Sequence, residues 1–474
     1  MAYRHGIYIS ELDTQITPAI TLGAPPTILG TSLIAADSPK LVYTIKDFIA
    51  TFGYCSDFNN ATLCEAAQVF FNLFAVRPII FISVTDETKH AAATATTKNI
   101  EDVKVGKTTT LDEPILLSTL EIKSGADANI KTLIKDVDYT ATFSSGGLTI
   151  KILKVDKVVA NKIAISYKKL EASKVTAADV IGGEDANGRK SGLHLIEEIF
   201  PRFQLLPGCI IAPKFSSNIE VAAAMKARCT NINGVFKTVA IADINPETTF
   251  DGVSAYKTTN NLVDANLILC YPKIELGTKT YWLSTQLAAV MARVDAENND
   301  IPFVSPSNKL LQCSASVLAD GSEIYLSLEE ADYLNSLGVV TAVNFNGWRV
   351  FGNRTSIYPD SADTKDNFIA CRRMLSWLGN TLVTTFFSRL DAPLNKRLIE
   401  SVATSANRFI SGLVAVGALL PGSNLKFIAE ENNAADLADG KVIFHVTVGL
   451  ISPARYIEFV LENDVSLFDN LFSA

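Results

Sequence analysis

Short, unbroken apolar runs alternate with segments of three-and-four spacing along much of the chain. That is the pattern of strands buried on both faces and of the helices that cover them. Residues 27–35 read as such a strand, 45–52 and 61–74 as helices, and 79–84 as a second strand. Strand–helix–strand order predicts a parallel sheet. The pattern returns after residue 175, with helices expected at 193–199, 219–230 and 281–294. Strands are expected there at 209–212, 235–242 and 267–271. Ser327 and Glu330 form a capping box that opens a helix to Leu337. Asn346-Gly347 between the apolar runs 339–345 and 349–351 predicts a tight hairpin.

Three stretches depart from this pattern. Residues 85–174 are rich in Lys, Thr and Asp and show short β runs at 115–122, 139–143, 148–155 and 162–167. That spacing predicts a small, exposed β-sandwich inserted into the α/β core. Residues 364–389 and 394–419 read as two long helices divided by Asp391 and Pro393. At the ends, residues 3–12 and 456–462 alternate as strands, and 441–448 alternates as another. The first is tied to the body by a Pro- and Gly-bearing connector, 13–26. A lone terminal strand leaves its backbone groups unpaired and must join a sheet, its own or a neighbour's. The fold class is therefore α/β and multi-domain, with a parallel or mixed-sheet core, an inserted β-sandwich-like unit and extended terminal strand arms. The expected division is 1–26 arm and linker, 27–84 with 175–345 core, 85–174 insertion, 346–440 helical region and 441–474 terminal strands and arm.

Composition sharpens this. Of 474 residues 48% are apolar and 19% charged, so long disordered tracts are excluded. Membrane insertion is excluded as well. The best window, 66–84, contains Arg77, and the run 409–420 is too short to span. The first ten residues hold no apolar stretch of a secretory signal, and none is expected. The net charge of −8 argues against direct nucleic-acid binding. It is unevenly placed: residues 349–428 sum to +5, leaving −13 for the remainder. The basic helices suggest a face that meets an acidic protein partner.

Candidate chemistry is sparse. The seven cysteines are odd in number, lack a CxxC pair and mostly sit in apolar runs, so they read as buried thiols. The four histidines (His5, His90, His194, His445) are scattered, with no metal or triad spacing. No GxSxG elbow or GxGxxG fingerprint occurs. Gly183 to Ser191 approaches a phosphate loop, but Arg189 separates Gly188 from Lys190, and Glu184 and Asp185 would face the anion. A surface turn is the better reading. No catalytic, cofactor-binding or metal residue is assigned.

Several passages together resemble one family. His5-Gly6-Ile7-Tyr8-Ile9 looks like an N-terminal arm of contractile tail sheath proteins of phages and R-type bacteriocins. Val180-Ile181-Gly182-Gly183 with Ser191-Gly192-Leu193, Leu206 to Pro213, and Ser305-Pro306-Ser307-Asn308 are similar to further sheath passages. Lys214 stands where that family usually has glycine. The most specific match is Asn346-Gly347-Trp348-Arg349-Val350-Phe351-Gly352-Asn353-Arg354-Thr355.

The resemblance implies a structural subunit, not an enzyme and without cofactors. Such subunits stack as hexameric rings in a helical polymer around an inner tube and contract to drive the tube through a cell envelope. The implied partners are copies of itself, the inner tail tube protein, and baseplate and tail terminator proteins. The implied location is a virion tail or an extracellular bacteriocin particle, assembled in the bacterial cytoplasm. Terminal arms of such proteins add strands to neighbouring subunits. On that basis Gly6, Ile7, Tyr8, Ile9, Tyr456, Ile457, Phe459 and Leu461 are the expected donated strands. Val442, Phe444, Val446 and Val448 form the expected receiving strand, and Lys396, Arg397 and Arg408 the expected tube-facing cations. An α/β enzyme with a doubly wound sheet, or another phage tail structural protein, remain the alternatives.

Overall fold

The computed structural model describes residues 19–21, 23–125 and 130–471, with side chains described to residue 468. Its centre is an eight-stranded sheet. The strands are β1 (Thr27–Gly30), β2 (Lys40–Val42), β3 (Ile79–Ser83), β4 (Ile210–Ile211), β5 (Ala240–Asp243), β6 (Leu267–Cys270), β7 (Val339–Asn344) and β8 (Trp348–Phe351). Their order is β8-β7-β6-β5-β4-β1-β3-β2. The six inner strands are parallel, and β2 and β8 close the two edges antiparallel. Consecutive residues feed opposite cores, which is why these strands read as unbroken apolar runs. Ile28, Ile79, Phe81, Ile241 and Ile268 face one core, and Leu29, Ile80, Ile82, Leu267 and Leu269 the other.

Two covering elements matter below. Helix α1 (Leu283–Glu297) is buried along most of its length against the first core. Helix α2 (Ile369–Phe386) follows the Asn346-Gly347 hairpin, whose turn has φ +50° and +99° at those two residues. Glycine takes the second position without a Cβ penalty.

Residues 96–167 build two small antiparallel sheets with a core of their own, including Ile122, Leu148, Ile150, Ile165 and Tyr167. Phe143 reaches from there to the main body. Its ring lies 2.9 Å from where a Cβ on Gly53 would sit, so only glycine fits beneath it. The C-terminal region packs α2 against α3 (Lys396–Ala415) and a hairpin of β9 (Asn424–Phe427) and β10 (Phe444–Thr447).

Several expectations are corrected. The run at 235–242 is strand only from Ala240, because Phe236 closes a turn onto Ile232 first. The helix expected at 61–74 becomes π-helical over Gln68–Leu73. The helix expected at 364–389 breaks at Phe368, whose extended backbone brings its ring onto Arg354. The four-stranded sheet of Lys273–Leu276, Lys279–Tyr281, Ala315–Val317 and Glu323–Ile324 was not expected. The alternation at 456–462 predicts a strand, yet this segment has no regular structure within the single chain. Among the described residues no strand pairs with it.

Candidate assembly surfaces

The receiving strand is built by alternation. Phe444, Val446 and Val448 turn toward the core of Met374, Trp377, Ile410 and Leu413, while Ile443 and His445 face outward. Val442, just before β10, is partly buried in the same phase. One edge of β10 pairs with β9, from Asn424↔Thr447 to Phe427↔Phe444. Among the described residues the other edge has no partner strand. Asn407 on α3 fixes this hairpin to the helix, its side chain accepting from Leu425 N (2.7 Å) and donating to Leu425 O (2.8 Å).

Tyr456, Ile457, Phe459 and Leu461 are all exposed, Phe459 at 84% and Leu461 at 94%. Four large apolar side chains are thus bare within six residues, a density uncommon on a protein surface. Gly6, Ile7, Tyr8 and Ile9 lie outside the described residues.

The connector is fastened to the body well before β1. Ile20 N donates to Thr385 Oγ1 (2.9 Å), and Thr384 Oγ1 donates to Ile20 O (3.0 Å). Leu206 N, Gly208 N and Ile80 N then donate to the carbonyls of Gly23, Pro25 and Pro26. The proline- and glycine-bearing stretch from Ile20 onward is thus held by α2 and the sheet. Sequence reading missed Thr384 and Thr385, since two threonines in an amphipathic helix carry no distinguishing signal.

Helix α3 buries Val402, Ala406, Ile410 and Leu413 and leaves Arg397, Glu400, Thr404 and Arg408 exposed on the opposite face. Lys396 is exposed too, 3.7 Å from the Glu400 carboxylate. All three expected cations are exposed on one helix; Arg397 and Arg408, about three turns apart, share a face, and Lys396 lies about 100° round from them. The structure also places the β9–β10 hairpin on that helix, whereas Tyr456 lies at a separate groove beside β8.

Polar groups elsewhere are used internally. Asp185 Oδ1 accepts from Asn187 N (2.8 Å) and Arg189 N (2.9 Å), so a carboxylate fills the turn that resembles a phosphate loop. Lys190 pairs with Glu197. Asp243, at the end of β5, accepts from Ser284 N (3.0 Å), the Ser284 hydroxyl and the Ser216 hydroxyl. Burial nevertheless pushes it up to about 6. Burial also raises the buried Glu65 and lowers nearby Lys273. The Cys209 thiol is pushed up to about 12 by burial, the state of an inert thiol. Among the described residues no group of three or more His, Cys, Asp or Glu could hold a metal ion, and no helix is long and apolar enough to cross a membrane.

No protein-family model matches the chain. The tail sheath protein of Burkholderia phage BcepMu is 25% identical over 479 residues, covering 97% of this chain and 96% of that one. The chain resembles contractile tail sheath proteins from end to end. A putative prophage major tail sheath protein of Pseudomonas aeruginosa strain UCBPP-PA14 is 26% identical, over 63% of this chain and 76% of its own. Solved structures agree in fold. The sheath complex of the extracellular contractile injection system PVC, in its contracted state, has a TM-score of 0.59 at 14% identity, covering 98% of this chain and 99% of that one. The contracted helical sheath of the anti-feeding prophage has a TM-score of 0.58 at 14% identity, over 98% and 100%. The sheath likeness read from the sequence is thus met in sequence and in fold.

Proposed function

We propose that this chain is the structural subunit of a contractile sheath. Copies stack as hexameric rings around an inner tube, and their contraction drives the tube through a target envelope. The observation that carries this is the end-to-end likeness to tail sheath proteins, 97% of this chain on 96% of a relative. The edge of β10 that has no partner among the described residues, and the bare apolar segment after Pro453, supply the means of polymerisation. Main-chain pairing gives affinity without demanding one fixed subunit orientation. Gly6 to Ile9 and Tyr456 to Leu461 are the donated segments, and Val442, Phe444, Val446 and Val448 receive them.

The role is structural rather than catalytic. Lys396, Arg397 and Arg408 face the inner tube protein, and baseplate and terminator proteins bound the polymer's ends. The particle is a virion tail or an extracellular contractile particle, assembled in the bacterial cytoplasm. The units are 1–26, 27–84 with 175–345, 85–174, 346–440 and 441–474. Contraction energy is stored in subunit packing, since many repeated interfaces sum small differences between two lattice states. Negative-stain electron microscopy of the purified protein tests the reading. Hollow ridged cylinders are expected; a monodisperse monomer at every concentration would overturn it.

A further inference from the structure

Between β8, the helix Leu328–Ser336 and the start of the C-terminal segment lies a groove of about 800 Å³. Its charged lining consists of Arg349, Arg354 and Arg455 against a single acid, Asp332. Among the described residues none of the three arginines has a carboxylate oxygen within 4.0 Å. Arg372 and Arg373, close by on α2, do pair with carboxylates, those of Asp366 and Asp295.

Arg354 is held in place without being neutralised. Its guanidinium lies 4.3 Å from the ring centre of Tyr358 and 3.8 Å from that of Phe368, and Nη1 donates to Asn367 Oδ1. Burial, and the like charge of Arg455, pull its pKa below the ordinary guanidinium value. A guanidinium fixed between two rings loses little freedom when a carboxylate docks on its open edge. An excess of positive charge in a groove draws an anionic partner.

The chain carries a matching segment. Residues 456–474 hold Glu458, Glu462, Asp464 and Asp469 and neither lysine nor arginine. In this chain the segment leaves at Tyr456, on the groove's wall, and its side chains are exposed as far as residue 468. Reach is sufficient. Eight peptide steps lead from Thr447, at the end of β10, to Arg455, a span of at most about 28 Å. Asp469 lies seven residues beyond Glu462, a reach of about 24 Å before side-chain length is added. One segment can therefore pair with β10 through 456–462 and continue into the groove of the same subunit.

We infer that this groove receives the acidic end of the C-terminal segment of a second copy of the chain, with Arg354 and Arg455 taking the carboxylate of Asp469. The inference rests on the reading that terminal segments pass between subunits. It gives the Asn353-Arg354-Thr355 passage a role in assembly: an electrostatic lock placed beyond the strand pairing.

The test titrates a fluorescent peptide of residues 456–474 into the full-length protein by anisotropy. Arg455→Gln alters an exposed residue and should leave the melting temperature unchanged while weakening binding about fivefold. Arg354→Gln should weaken it about tenfold, the scale of one charge-assisted hydrogen bond. A peptide with Asp469→Asn should bind the wild type as weakly, and should no longer distinguish the arginine variants. Equal affinity of the two peptides, or no change on Arg455→Gln, overturns the inference and leaves strand pairing on β10 standing. Absence of binding by either peptide overturns both.

Discussion

Arg373 on α2 grips Asp295 on α1 through two parallel hydrogen bonds, with Nη1 3.1 Å from Oδ1. Arg373 is only 7% exposed, so the pair joins the helical region to the sheet-covering helix inside the protein. Removing one partner strands a buried charge. Asp295→Ala is expected to cost about 3–5 kcal/mol in urea unfolding, and Asp295→Leu with Arg373→Met distinctly less. Equal losses would show that the charge pairing is not what matters.

Deleting residues 1–12 should leave a folded monomer that forms no polymer. Sedimentation velocity and electron microscopy read this directly. Tubes formed by the truncated protein would refute a role for the N-terminal arm in strand donation.

Charge reversal at Lys396, Arg397 and Arg408 should weaken co-assembly with the tube protein while leaving the melting temperature within about 2 °C, because all three are exposed. Raising ionic strength from about 0.1 M to about 0.5 M should mimic it through screening. Unchanged pull-down of the tube protein at both ionic strengths would count against this face.

Asp243 gives a pH signature. Its carboxyl is raised from 3.8 to about 6 in the folded protein by burial. Between those values the folded protein keeps a proton that the unfolded chain releases. The contribution is therefore complete below the unfolded value and is lost as pH rises to about 6, at up to about 1.4 kcal/mol per unit. Asp243→Asn cannot titrate. The stability of the variant relative to wild type should rise by about 2–3 kcal/mol between pH of about 4 and about 6.5. A flat difference across that range would sink the assignment.

Thr384→Val with Thr385→Val should raise hydrogen exchange at the Ile20 amide about tenfold or more, with no change at Ile80. Exchange that is equal in the two proteins would mean that the connector is held by something other than these hydroxyls.

The core was legible because its strands are buried on both faces: Ile79 to Ser83 or Leu267 to Cys270 can hardly be read otherwise. The capping box at Ser327 and the turn at Asn346-Gly347 were legible for equally local reasons. Arg354, Thr384 and Asp295 were not legible in their roles. Each depends on a partner far along the chain, and local pattern says nothing about which distant residues meet. The run from Tyr456 to Leu461 alternates like a strand but forms none in the single chain, where its apolar side chains are exposed. The small sheet around Lys273–Leu276 escaped notice because its strands are short and include Lys and Glu.

The fastening of Ile20 by Thr384 and Thr385 decides how a subunit bears load. On the proposed reading of linked arms, tension from a neighbour reaches the described connector at Ile20. It meets α2 first, in shear across two hydrogen bonds, and reaches β1 only after them. The same helix leads into α3 and its exposed cations. One helix thus stands between the connector and the cation-bearing α3.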